Sequence, residues 1–148
     1  MNLLLTRPKA QADAMAEGLR SRGHRVLLAP LLRVDRLQFD DRILRSASAL
    51  IVTSANAVPA LEGLDPAIRT FAVGPDTALA AKAAGFSNVI AATGTASSLL
   101  DMVRHQWQPE DGTLAYASGH HVSVDVAGAL ALQGYSCRRL AVYATSQA

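Results

Sequence analysis

Ala49-Leu50-Ile51-Val52-Thr53 is an apolar run closed by a hydroxyl residue, and its reading decides the fold. A strand open to water on one face alternates apolar and polar residues, whereas a strand covered by helices on both faces is continuously apolar. Runs of the second kind return at Arg69–Val73, Asn88–Ala91, Thr113–Ala117 and Arg138–Tyr143, each separated from the next by a segment of helical character. Strand and helix therefore alternate, which predicts an α/β fold. Five such strands within residues 40–143 suffice for a complete doubly wound parallel sheet of the flavodoxin type.

The helices between them are marked at their ends. Pro75 sits just inside the start of Asp76–Ala84 and Gly85 just past its end. Thr95 precedes a helix in which Leu99, Leu100 and Val103 share a face and which ends near Trp107-Gln108-Pro109, and Val122–Leu132 ends at Gly134. Before residue 40 the pattern is sparser. Asn2–Thr6 reads as a strand, Ala12, Met15, Ala16 and Leu19 form one apolar stripe on a helix stopped by Gly23, and His24–Ala29 reads as a second strand closed by Pro30. Leu31–Leu37 alternates apolar and charged residues, as expected of a connecting segment over a surface, and is the best boundary. The first 30 residues are thus a single β-α-β unit, too small to bury a stable core of its own.

A length of 148 residues fits one ordinary domain, or one domain plus part of another. With 50% hydrophobic and 18% charged residues, disorder is excluded. A net charge of +2 does not imply a nucleic-acid partner, and the excess of basic residues before residue 49 reads as solvated helix faces. The single cysteine, Cys137, has no internal disulfide partner, and its apolar strand makes it inert. Met1–Leu5 meets Arg7-Pro8 too soon for a signal peptide, and nothing approaches the ~20 apolar residues of a membrane span. A cytoplasmic protein without membrane association is expected.

In open parallel sheets, ligands bind beyond the carboxyl ends of the strands. The loops there are Thr6-Arg7-Pro8, Thr53-Ser54-Ala55-Asn56, Gly74-Pro75-Asp76-Thr77, Thr93-Gly94-Thr95-Ala96-Ser97, Ala117-Ser118-Gly119-His120 and Tyr143-Ala144-Thr145. They are rich in glycine and short hydroxyl residues, suited to bringing backbone amides and small donors to an anionic ligand, although any one of them also serves as a helix cap. Nucleotide chemistry finds no support: there is no G-x-G-x-x-G or G-x-x-x-x-G-K-[ST], and the second strand ends in Pro30 rather than a ribose-binding acid. His121 and Asp125 would lie one helical turn apart, but zinc needs three or four ligands and no metal site is expected. Tyr116-Ala117-Ser118-Gly119-His120 lacks the glycines of a hydrolase elbow.

Leu5-Thr6-Arg7-Pro8, Ile51-Val52-Thr53-Ser54-Ala55-Asn56-Ala57-Val58, Ala72-Val73-Gly74-Pro75-Asp76-Thr77-Ala78, Tyr116-Ala117-Ser118-Gly119 and Val142-Tyr143-Ala144-Thr145 resemble, in order and spacing, the uroporphyrinogen-III synthase family. The resemblance implies two similar α/β domains joined by paired linkers, the second inserted into the first. On that template residues 1–34 are the opening β-α-β piece of the outer domain with its linker, 35–143 the inserted flavodoxin-like domain, and 144–148 the start of the return linker. The closing part of the outer domain is then missing, leaving an incomplete second domain and a truncated chain.

The reaction that the resemblance implies is cyclisation of hydroxymethylbilane to uroporphyrinogen III, with inversion of ring D and loss of water, using no cofactor and no metal. Carried over by position, Tyr143 matches a tyrosine that helps the hydroxyl leave. Ser54 and Thr77 match cleft residues, Ser118 and Gly119 lie where backbone donors meet a substrate carboxylate, and Arg7 is placed to pair with another. A free phenol ionises near ~10, so a tyrosine in this role acts through hydrogen bonding more than through proton driving force. The alternative is a non-catalytic module that binds an anionic ligand or forms a homodimer through the incomplete N-terminal unit.

Overall fold

The computed structural model describes residues 2–5, 9–28 and 32–147. It divides into two compact units, one formed by Met1–Asp35 with Ala144–Ala148 and the other by Arg36–Tyr143. Thr6-Arg7-Pro8, and with it the Arg7 expectation, lies outside the described residues.

In the first unit β1 (Asn2–Leu5) and β2 (Arg25–Leu28) pair in parallel, Asn2 opposite Arg25 and Leu5 opposite Leu28. Helix α1 (Lys9–Ser21) connects them and buries Ala16 completely. Gly23, at φ +86°, turns the chain out of the helix in the left-handed region that glycine enters without penalty. Arg20 donates to the Val26 carbonyl at 3.1 Å, tying the helix end to the second strand.

The sheet that runs through the second unit has the order β3-β8-β7-β4-β5-β6. Its strands are β3 (Leu32–Arg36), β4 (Ala49–Val52), β5 (Arg69–Ala72), β6 (Val89–Ala91), β7 (Leu114–Gly119) and β8 (Cys137–Gln147). Pairing is parallel from β8 through β7, β4 and β5 to β6. All four residues of β4 are buried, because both faces are covered. Leu50 and Val52 pack with Leu44 of helix α2 (Asp41–Arg45), with Ala57 and Leu61 of the 3₁₀ helix Ala55–Leu61, and with Ala78 and Ala81 of helix α3 (Pro75–Ala83). Ala49 and Ile51 face the other way, onto Leu99 and Val103 of helix α4 (Ala96–Gln106) and Val126 and Leu130 of helix α5 (Val126–Ala131). Each large aliphatic side chain so buried contributes about 1.5–3 kcal/mol.

Two expectations change. The sheet has six strands rather than five, because Leu32–Arg36 is an edge strand and not a surface connection. Alternation of apolar and charged residues is also what an edge strand shows when one face meets the core and the other meets water. The strand order also departs from the flavodoxin type. In chain order from β4, the five strands run 3-2-1-4-5 rather than 2-1-3-4-5. Two successive crossovers carry the chain away from β4 on one side before it returns to the other. Since parallel crossovers share one hand, this reversal moves the covering helices from one face to the other, as the two core clusters record. The reversal lies between β4 and β7.

Helix α5 begins at Val126 rather than near Val122, since Asp125 acts as its N-cap, accepting from the Gly128 amide at 2.9 Å. His121 and Asp125 are therefore not one helical turn apart. Trp107 is half-buried and packs against the core, its ring edge-on to Phe71 at 6.2 Å. Among the described residues, no helix is long and apolar enough to cross a membrane, and no group of three potential ligands could hold a metal ion.

Candidate functional site

At the reversal between β4 and β7, the loops leaving neighbouring strands part in opposite directions and open a crevice at their carboxyl ends, the usual ligand position in such sheets. Its volume is about 280 Å³, and its walls include Thr53, Ser54, Val73, Gly94, Tyr116, Gly119, His121 and Tyr143.

Thr53 follows β4 directly, and its Oγ1 lies 2.9 Å from the Tyr116 hydroxyl of β7. Tyr116 is only 2% exposed, and its ring is core. Burial pushes its phenol above the ordinary value, the Thr53 hydrogen bond works against that shift, and the nearby Tyr143 phenol adds to it. Tyr116 therefore remains a neutral hydroxyl at physiological pH. Ser54 accepts from the Asn56 amide at 3.1 Å and so caps the 3₁₀ helix from the edge of the crevice.

The loops after β5 and β6 meet through glycine. A Cβ on Gly74 would come within 3.1 Å of the Gly94 Cα, and the Gly94 amide donates to the Val73 carbonyl at 2.7 Å. On the other side, Gly119 lies opposite Tyr143 where the β7–β8 register shifts, between Ser118 and Gly119. The Tyr143 ring lies against Gly119, so that a Cβ there would meet Cζ at 2.9 Å and the hydroxyl oxygen at 3.0 Å. The Tyr143 carbonyl accepts from the His120 amide at 2.8 Å. Its side chain borders the crevice, and its hydroxyl makes no hydrogen bond to a described residue.

Of the residues singled out from the sequence, the crevice gathers Ser54, Gly119 and Tyr143. Ser118 is turned inward: it is 1% exposed, donates to the Gly119 carbonyl at 2.9 Å and accepts from Arg139 Nε at 2.9 Å. Its hydroxyl is thus spent inside the sheet. Thr77 lies in the first turn of α3, 6% exposed and off the crevice wall.

Two partnerships carry no sequence signal. Thr53 and Tyr116 are 63 residues apart, and only the β4–β7 pairing brings them together. Arg139 sits in β8 and holds the turn after β7. Besides Ser118, it donates to the carbonyls of Gly119 at 2.9 Å and His120 at 2.7 Å. The rings of His120 and His121 stand edge to face at 4.8 Å, with His121 on the crevice wall.

The arrangement defines a doubly wound α/β protein whose reversal point opens onto hydroxyls and glycine backbone. The chain belongs to the uroporphyrinogen-III synthase family: the family model described as Uroporphyrinogen-III synthase HemD matches residues 13–148. A mutant uroporphyrinogen III synthase from the extremely thermophilic bacterium Thermus thermophilus superposes with a TM-score of 0.61 at 21% identity, over 100% of this chain and 64% of that one. The wild-type form gives a TM-score of 0.55 at 20% identity, over 100% and 63%. Uroporphyrinogen-III synthetase from Helicobacter pylori gives 0.61 at 16% identity, over 99% and 62%. The chain therefore spans less than two thirds of the length of these structures. No curated protein sequence matches it.

Proposed function

We propose that this chain carries part or all of a uroporphyrinogen-III synthase site, which cyclises hydroxymethylbilane to uroporphyrinogen III with loss of water and inversion of ring D. The observation that carries the reading is the Tyr143 phenol, which lies over Gly119 on the wall of a crevice at the strand reversal, its hydroxyl without a hydrogen bond among the described residues. The hydroxyl group of the substrate and a pyrrole N–H proton leave together as water, giving an azafulvene. Tyr143 assists by hydrogen bonding to the departing oxygen. Ring closure at the substituted carbon of ring D then passes through a spiro intermediate, and the protein's contribution is to hold the rings so that this closure outruns the uninverted one. Ser54 and the backbone at Gly119 bind substrate polar groups, Thr77 supports the loop after β5, and Ser118 takes part through its place in the β7 strand end. Arg7 is assigned to a substrate carboxylate.

Small-molecule sites usually enclose about 300–1,000 Å³. The crevice, at about 280 Å³, holds roughly one ring of a tetrapyrrole and not four. We therefore assign residues 35–143 as an inserted domain that holds one ring of the substrate, with 1–34 and 144–148 assigned to the outer domain. The protein acts in the cytoplasm on a small-molecule substrate. The test is to supply freshly prepared hydroxymethylbilane and resolve the products. Type III above the spontaneous background supports the reading, and type I alone sinks it.

A second reading, a homodimer joined through the N-terminal unit, rests on β1 and β2 forming a sheet of only two described strands. Two-stranded sheets are marginal without further cover. Sedimentation showing a monomer at every concentration would remove it.

A further inference from the structure

Three neighbouring strands each bring a hydroxyl to the crevice: Thr53 at the end of β4, Tyr116 in β7 and Tyr143 in β8. Thr53 and Tyr116 bond to each other at 2.9 Å, and neither makes another side-chain hydrogen bond among the described residues. A pair of hydroxyls joined by one hydrogen bond uses one of its two protons. The other remains to be donated, and both residues border the crevice. A core tyrosine needs its hydroxyl satisfied, which Thr53 does, but a core position alone calls for no hydroxyl at all. Phenylalanine would fill the same space.

We propose that the Thr53–Tyr116 pair is a second hydrogen-bonding group of this crevice, donating its spare proton to the hydroxymethyl oxygen that Tyr143 engages from the other side. The proposal rests on the synthase reading and deepens it, naming the bound fragment as a single pyrrole ring bearing a hydroxymethyl group, which suits a volume of about 280 Å³. In the reaction the C–O bond breaks and the oxygen leaves as water with the pyrrole N–H proton. The pair transfers no proton overall but strengthens its hydrogen bond as negative charge gathers on the oxygen.

The test uses the full chain and two routes. In turnover of hydroxymethylbilane, Tyr116→Phe keeps the ring and removes the hydroxyl, and Thr53→Val removes the partner. Each is expected to lower kcat roughly 10-fold to 100-fold with at most a several-fold rise in KM and to raise the type I fraction, while Thr53→Ser restores the rate. In binding, a stable 5-hydroxymethylpyrrole-2-carboxylate ester and its 5-methyl counterpart are titrated by NMR. The hydroxymethyl compound is expected to shift signals of Thr53, Tyr116 and Tyr143 and to lose several-fold affinity in Tyr116→Phe, whereas the methyl compound binds both proteins alike. A purely structural tyrosine would change stability and leave these differences untouched. Unaltered turnover in an active Tyr116→Phe variant, or equal loss for both pyrroles, overturns the proposal. If the wild-type chain makes only type I while the hydroxyl-dependent binding stands, the synthase reading fails and the assignment of the pair survives. If neither pyrrole binds and only type I forms, both fall.

Discussion

Replacing Gly119 by alanine tests the contact on which the site is built. The added Cβ would stand 2.9 Å from Cζ of Tyr143 and 3.0 Å from its hydroxyl oxygen, against about 3.5–4.0 Å for relaxed carbon contacts. The backbone at Gly119 is outside the left-handed region, so alanine itself is not strained there. The phenol must therefore retreat by about 0.6–1 Å to reach that separation. Overpacking of this kind costs roughly 1–3 kcal/mol, toward the lower end because the displaced atoms are the far end of a side chain. With urea slopes of about 1–3 kcal/mol/M, the unfolding midpoint should fall by about 1 M or less. A misplacement of about 1 Å at a reacting group can cost up to ~10²-fold in rate, so type III formation should fall much further than stability does. In a Tyr143→Ala background the sign should reverse. With the ring gone, alanine at 119 restricts the unfolded chain and stabilises by about 0.4–1 kcal/mol. The same loss of stability from Gly119→Ala in both backgrounds would refute the steric reasoning.

Three further outcomes are expected. Phe71→Ala removes a fully buried ring and its edge contact with Trp107, and should cost about 3–5 kcal/mol in denaturant unfolding, with a shifted emission from the single tryptophan. Thr95→Ala breaks a capping box in which Thr95 accepts from the Ser98 amide at 3.1 Å and Ser98 Oγ accepts from the Thr95 amide at 3.3 Å, for a loss of about 1 kcal/mol. Burial, aided by the Asp125 carboxylate, pushes the Cys137 thiol from 9.0 up to about 11. Because the folded value is the higher, its stabilisation is complete below the unfolded value of 9.0 and is lost as pH rises toward about 11. The fall in urea midpoint across that window should be shallower in Cys137→Ala than in the parent chain.

Strand positions are readable in this sequence because burial on both faces leaves continuous apolar runs, and Ala49–Val52 is wholly buried as its composition demands. What the runs do not encode is the side of β4 on which each crossover lands. That choice depends on how helices of similar apolar content fit the two faces, and no residue in β4 announces it. Leu32–Arg36 misleads because an alternating pattern suits an edge strand and a surface connection equally. At the crevice, loop composition locates Ser54 and Gly119 at strand ends. The partnerships of Thr53 with Tyr116 and of Arg139 with the turn after β7 stay hidden for a different reason: each joins two strands, and pairing across 63 or 20 residues leaves no local mark. Ser118 shows the converse, a hydroxyl conspicuous in the sequence and consumed by Arg139 and its own neighbour's carbonyl.

The reversal beside β4 also sets an order of assembly. Ala49 pairs with Arg69 on one side, 20 residues along the chain, and with Leu114 on the other, 65 residues along. Closing the longer loop first costs about 1 kcal/mol more in chain entropy. The β4–β5–β6 half should therefore zip up early and the β7–β8 half dock onto it afterwards, which makes the hydroxyl-lined crevice the seam of the folding reaction, absent until the final docking. Pulsed hydrogen exchange during refolding should find the amides of β5 protected before those of β7, and a chain halted before residue 114 during synthesis would hold half a sheet and only one side of the ligand crevice.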